Sequence, residues 1–277
     1  MDRVTPVIMG TAGYAMMSLA ASLMVASPKH LTATEQKNYC GFHISLIHSV
    51  IACALASYVL WAEGGLRYDG GFTQTHIWVL GLTLGYFIYD IMYAEWFRLH
   101  DNLMRFHHVF VLIGGGMLYF SESGGCLTLY VILLTESSNP AMQTRLILKA
   151  RKEEDTQLYR VTQLVFAFQF IFNRGVIATP LTYNTWFYDL DWTIKVSASM
   201  LYGASVIWIL IIIGIISKKL PVASVPERLL RWLRETHKKF PFVVNGLVLV
   251  NALLTPSLLK GLGAGPLHFS ILGTLVF

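Results

Sequence analysis

Apolar runs close to the length of a bilayer crossing recur along this chain, and no other feature constrains its fold as much. A membrane helix needs about 20 predominantly apolar residues. Such runs fall at Val7 to Ala26, His43 to Trp61, Ile77 to Tyr93, Phe106 to Phe120, Leu127 to Leu148, Arg160 to Pro180 and Thr193 to Ile216. A further run, Phe242 to Leu259, is interrupted by Pro256 and followed by Lys260-Gly-Leu-Gly-Ala-Gly265, so it reads as an eighth span or a re-entrant piece. Only 13% of residues are charged, against about 25% in a soluble domain. The sequence therefore predicts an all-α polytopic membrane protein with seven or eight transmembrane helices.

The distribution of cations tests that count, because cytosolic loops carry an excess of Lys and Arg. With successive loops alternating, Lys29, Lys37, Arg98, Arg105, Arg145, Lys149, Arg151, Lys152, Arg160, Lys218, Lys219, Arg228, Arg231, Arg234, Lys238 and Lys239 share one side, and only Arg3, Arg67 and Lys195 take the other. One missed helix would scramble this asymmetry. The N-terminus is then lumenal or external, and the net charge of +5 follows from topology without a nucleic-acid partner. The first run has no convincing cleavage site and reads as a retained helix. Between Ile216 and Phe242, Ser224-Val-Pro-Glu227 has capping-box spacing, and Leu229, Leu233 and Phe240 share a face opposite Arg228, Arg231 and Lys238. This predicts a basic helix lying in the headgroup region. Three units follow: a leading transmembrane helix and loop over 1–37, a six-helix membrane unit over 38–217, and a basic interfacial helix with a C-terminal apolar segment over 218–277. Cys40, Cys53 and Cys126 follow no paired spacing and read as reduced packing residues.

Ionisable residues inside spans are expensive and tend to be functional. Here they are His48, Asp90, His107, His108, Glu136 and Arg174. By helical rise, His48, Asp90, His107 and His108 lie toward the basic side, with Glu136 near the midplane and Arg174 beyond it. Together they can line one polar funnel opening on the cytosolic side. Glu136 and Arg174 must pair, with each other or with neighbours, or Glu136 must be protonated. Adjacent histidines on a helix point about 100° apart, so one ring can do chemistry while the other orients it or binds a headgroup. Imidazole suits either role near neutral pH, and Asp90 is a plausible orienting carboxylate. A di-iron hydroxylase or desaturase would need HxxxH and HxxHH boxes, which the nine histidines do not form, so no metal is expected. Gly114-Gly115-Gly116 allows either close helix packing or an unwound point beside an acyl chain. Pro140, in Leu134-Thr-Glu-Ser-Ser-Asn-Pro140, frees a carbonyl and kinks the fifth span. Thr162, Gln169 and Asn173 share a face beside Arg174, and that face must meet protein, water or a polar ligand.

These motifs resemble the TLC-domain family of multispanning lipid proteins, which includes ceramide synthases and smaller TLCD-type relatives. The resemblance covers roughly Asn38 to Ser217. It is carried by Ser45-Leu-Ile-His48, Gly85-Tyr-Phe-Ile-Tyr-Asp90, His107-His108, Leu133-Leu-Thr-Glu-Ser-Ser-Asn-Pro140 and Phe172-Asn-Arg174 with Pro180. It implies a six-helix TLC-type barrel around a lipid-holding cavity, with a leading helix outside. In ceramide synthases the histidine pair is implicated in transfer of an acyl group from acyl-CoA. Carried over, His107, His108 and Asp90 become the candidate catalytic residues, and His48, Glu136, Asn173 and Arg174 the candidate lipid-binding ones. Acyl-CoA enters as a substrate, and no cofactor is implied. The chain departs from the synthases after the pair, where they carry an HD-x-x-D arrangement and this sequence has Leu-Thr-Glu136-Ser-Ser-Asn-Pro140. That favours the TLCD-like branch, with lipid binding, lipid homeostasis or lipid remodelling as its function.

Two alternatives remain. One is a non-catalytic structural subunit of a larger membrane assembly, holding lipid in its cavity; a mitochondrial inner-membrane address suits it, whereas the first reading suits the endoplasmic reticulum or another endomembrane. The other is an ion or proton pathway along the funnel, against which no periodic charge series runs through any span.

Overall fold

The computed structural model describes residues 2–68, 70–99 and 102–219. The basic helix, the eighth span and the rest of the C-terminal unit predicted above lie outside these residues. Within them the fold is helical, apart from one isolated antiparallel bridge between Gly71 and Ser123.

Helix α1 (Thr5–Met24) starts with Pro6 in its first turn, where the missing N–H costs nothing, and Asp2 Oδ1 accepts the Val4 and Thr5 amides. Helix α2 (Ala33–Ala62) begins ten residues before its apolar run, because Thr32 and Glu35 close a reciprocal capping box. Helix α3 (Gln74–Phe97) opens on an unusual version of the same box. Thr73 Oγ1 accepts the His76 amide and His76 Nδ1 accepts the Thr73 amide. It stops at Arg98, which adopts left-handed backbone at φ 54° and closes the last carbonyls. Helix α4 (Asn102–Phe120) follows.

The predicted fifth span is two helices, α5 (Gly125–Glu136) and α6 (Asn139–Ala150). Pro140 has no N–H to continue the ladder and sits instead in the first turn of α6, so the break falls at Ser137 and Ser138. The predicted sixth span is also interrupted. Helix α7 (Gln157–Ile171) passes through a π turn, Phe172–Ile177, into α8 (Ala178–Thr185). Helix α9 (Trp192–Lys219) ends the described chain. Among the described residues, five helical stretches are long and apolar enough to cross a membrane: α1, α2, α3, α7 with α8, and α9. Helices α5 and α6, at 12 residues each, are too short to cross alone.

Helix α3 is the most buried of the five and packs against α1, α2, α4 and α5. Further contacts join α2 to α5 and α6, α6 to α7, α8 to α9, and α9 to α4. The seam between α1 and α3 is made by glycine: an added Cβ at Gly85 would lie 2.6 Å from Thr11 N and 2.7 Å from Val7 O, and one at Gly10 would lie 3.0 Å from Leu82 Cα. Thr11 Oγ1 uses this proximity to reach the Gly85 carbonyl at 3.2 Å.

Arg3, Arg67 and Lys195 belong to one end of the molecule. Arg3 donates to the Ser121 carbonyl, Gln74 to the Asp2 carbonyl, and the Ser121 hydroxyl to Asp191 Oδ2 at 2.6 Å. The Glu122 amide and the Ser123 hydroxyl reach the same carboxylate. Hydrogen bonds, the Ser121 hydroxyl's foremost, hold the Asp191 carboxyl below its usual range. Exposed Tyr58, Trp61, Trp186, Phe187 and Trp192 cluster near the same helix ends, as amphipathic rings do at a membrane interface.

Candidate functional site

Two histidine–carboxylate pairs face one cavity of about 630 Å³, within the size range of small-ligand sites. The first pair joins α3 to α4: His108 Nδ1 stands 3.2 Å from Asp90 Oδ2. His108 is buried and meets the Phe87 ring edge-on. The His107 ring lies 5.6 Å from that of His108, so both line the cavity although they diverge along the helix.

The second pair joins α2 to the end of α5, with His48 Nε2 3.8 Å from Glu136 Oε2. Both side chains are buried. His48 stacks on Tyr86 with ring centroids 3.7 Å apart and planes 7° apart. The Tyr86 hydroxyl donates to Ser45 Oγ at 2.7 Å. His48 Nδ1 meets the Tyr14 hydroxyl of α1 at 3.0 Å.

The two helix interruptions bring in the remaining polar groups. At the α5–α6 break, Asn139 Nδ2 donates to Glu136 Oε2 at 2.8 Å. The π turn inserts an extra residue per turn, a device frequent at functional sites, and both Asn173 and Arg174 within it are buried. Arg174 donates to the Thr135 carbonyl at the opposite break, and its guanidinium lies 4.4 Å from the centre of the Phe170 ring. A broken helix at membrane depth requires such internal partners. Glu136 and Arg174 form no ion pair within 4.0 Å among the described residues. Each is held by neighbours instead.

Of the residues singled out from sequence, His48, Asp90, His107, His108, Glu136 and Arg174 line this cavity. Asn173 does not: it is fully buried, with Nδ2 donating to Ser137 Oγ at 2.7 Å, and it braces the α5–α6 break. Thr162 and Gln169 are buried on the same stripe. Sequence reasoning missed Tyr14, Ser45, Tyr86 and Asn139. Ser45, Tyr86 and Asn139 sit inside quoted motifs and differ from their neighbours only in having a hydroxyl or amide. Tyr14 lies on the leading helix and had no signal beyond an aromatic with a polar tip.

Apolar side chains complete the wall, among them Leu80, Leu84, Leu118, Val131 and Ile132. Exposed Phe110, Ile211 and Ile215 belong to the same lining, so the cavity reaches the outer face of the helices.

A separate polar cluster corrects the reading of Cys126 as bland packing. At the end of α2 and the starts of α3 and α5, Glu63 Oε2 lies 3.0 Å from His76 Nε2 and accepts from Cys126 Sγ at 3.3 Å, while Arg67 donates to it at 3.1 Å. The three potential ligand atoms of Glu63, His76 and Cys126 lie close enough together to hold a metal ion. The hydrogen bonds disfavour one. His76 Nδ1 accepts the Thr73 amide, so Nε2 carries the ring's proton and has no lone pair for a metal. Arg67 adds a positive charge 3.5 Å from the sulfur.

Membrane-crossing helices around a cavity with polar groups at its wall define an integral membrane protein that encloses a ligand-sized space. A family model described as the TLC domain matches residues 42–217. The match covers more than half of the chain, and the protein belongs to the TLC-domain family, generally membrane proteins of lipid metabolism and sensing.

Proposed function

We propose that this protein holds a membrane lipid in the cavity, with acyl tails against the apolar wall and the polar end near His107 and His108, and that it serves lipid binding and remodelling. In this reading α4 and the α5–α6 pair complete seven crossings, and α2 to α9 enclose the cavity as a six-membered barrel with α1 outside. The observation that carries it is the pairing of the His108–Asp90 dyad, its histidine buried, with a large apolar-walled space that reaches the lipid-facing surface.

The dyad also suits acyl transfer from acyl-CoA. Asp90 at Nδ1 orients the ring and leaves Nε2 as the base. The acceptor's nitrogen or oxygen forms a bond to the acyl carbon, the thioester C–S bond breaks, and the acceptor's proton passes through His108 to the departing thiolate. His107 lies beside this path as a second imidazole for the headgroup.

Purified protein incubated with labelled long-chain acyl-CoA and lipid acceptors tests this step. Label should move to lipid with wild type and fail to move with His108→Ala or Asp90→Asn. Absence of any histidine-dependent product removes the transfer and leaves lipid binding, which copurifying lipid tests separately.

A further inference from the structure

Behind the cavity, α1 meets α2 through a buried tyrosine–histidine contact. Among the described residues the Tyr14 hydroxyl has one hydrogen-bond partner, His48 Nδ1 at 3.0 Å. Tyr14 is buried, so if its oxygen merely accepted from Nδ1–H, its own hydrogen would be left in an apolar interior without an acceptor. The hydroxyl therefore donates, Nδ1 accepts, and the single proton of the neutral ring sits on Nε2. Among the described residues that Nε2 is enclosed and has no hydrogen-bond partner, while the His48 side chain, 1% exposed, lines the cavity. Its nearest carboxylate oxygen, on Glu136, stands 3.8 Å away, outside hydrogen-bond range, and is already occupied by Asn139. Stacking on Tyr86 fixes the plane of the ring, so the N–H keeps one direction.

We propose that His48 Nε2–H is the binding group for the carbonyl oxygen of a fatty acyl chain, and that Tyr14 of the leading helix is the positioning residue that keeps the proton on Nε2. This rests on the lipid-cavity reading and adds to it the group recognised, an ester, thioester or amide carbonyl. It also gives α1, which lies outside the matched TLC region, a part in the site. Buried polar groups are nearly always paired, and with no protein acceptor among the described residues this donor takes its partner from the cavity. A carbonyl suits it, bringing an oxygen with two lone pairs and no charge on a tail that continues along the apolar wall. The glycine seam holds the α1 backbone against α3 at Gly85, and from α1 the Tyr14 hydroxyl reaches His48.

The experiment uses the full-length protein in mild detergent, loaded with methyl oleate carrying ¹³C at the carbonyl and freed of excess by gel filtration. The infrared band of the bound carbonyl should shift to lower frequency than that of the ester in detergent. The shift should vanish in His48→Leu, weaken in Tyr14→Phe, and persist in His48→Gln, whose amide offers a donor at similar reach. A wild type that retains no ester overturns this inference together with the lipid-cavity reading. Retention with a band unmoved by His48→Leu overturns this inference alone. Should the variants not fold, ¹⁵N-histidine spectra of the wild type decide: His48 in the Nε2–H tautomer supports the assignment and the Nδ1–H tautomer refutes it.

Discussion

The seam between α1 and α3 yields the most quantitative prediction. In Gly85→Ala the new methyl would meet Thr11 N at 2.6 Å, Val7 O at 2.7 Å and Gly10 Cα at 2.8 Å. These are backbone atoms of another helix and cannot rotate away. Carbon contacts settle at about 3.5–4.0 Å, so α1 must retreat by roughly 1 Å. Overpacking of this kind costs about 1–3 kcal/mol. The same movement stretches the Thr11 hydroxyl bond to the Gly85 carbonyl, a further loss of about 0.5–1.5 kcal/mol. Alanine returns about 0.5–1 kcal/mol through helix propensity, which leaves a net destabilisation of roughly 0.5–4 kcal/mol. Gly13→Ala is the internal control, because an added Cβ there meets nothing within 4 Å; it should be neutral or stabilising. Steric-trap or denaturant titration in bicelles measures both. If Gly85→Ala lies within about 0.5 kcal/mol of Gly13→Ala, the close approach of these helices is wrong.

Three further outcomes follow from other parts of the molecule. Glu63→Ala removes the shared acceptor of His76, Cys126 and Arg67 and should destabilise by about 1–3 kcal/mol, while a chelator leaves the thermal midpoint of wild type unchanged; a stoichiometric metal lost on chelation would contradict the hydrogen-bonded reading. Asp191 is held below the usual carboxylate range by its hydrogen bonds, so its contribution is present above the unfolded value of about 3.9 and is lost as pH falls through the lower folded value; Asp191→Ala should lower thermal stability at pH 7 and flatten its acid dependence, and unchanged acid dependence would refute this. Asn173→Leu leaves Ser137 without its donor at the α5–α6 break and should destabilise by about 1–3 kcal/mol, more than Glu154→Gln at the exposed turn before α7, as read by the same titration.

Much of this architecture was legible because hydropathy and cation placement are independent signals that agree. The interruptions were partly legible. Pro140 announced a break in the fifth span, but propensity cannot say that Ser137 and Ser138 would separate two helices. Nothing local marks the π turn, since Phe172 to Ile177 reads as ordinary helix. It exists because Asn173 and Arg174 find partners in Ser137 and Thr135 on a helix distant in sequence. The early start of α2 was written in Thr32-Ala-Thr-Glu35, a capping-box pattern outside the apolar run. Within the site, residues that are costly in hydrocarbon stood out by type alone, and six of them line the cavity. Tyr14 and Tyr86 did not stand out, because tyrosine is unremarkable in a membrane helix and its role appears only when a partner is placed against its hydroxyl. Asn173 erred the other way: polar and buried, it braces the backbone rather than lining the cavity.

The lipid in the cavity is the claim on which the rest depends, and mass spectrometry of lipid extracted from the purified protein tests it most directly when wild type is compared with Val131→Trp. Val131 lines the cavity and is only partly buried where it packs against the core, so an indole there fills the space and leaves the polar groups of the wall untouched. Wild type should carry near-stoichiometric acyl lipid that Val131→Trp lacks while remaining folded. Equal lipid on both proteins, or none on the wild type, would contradict the account.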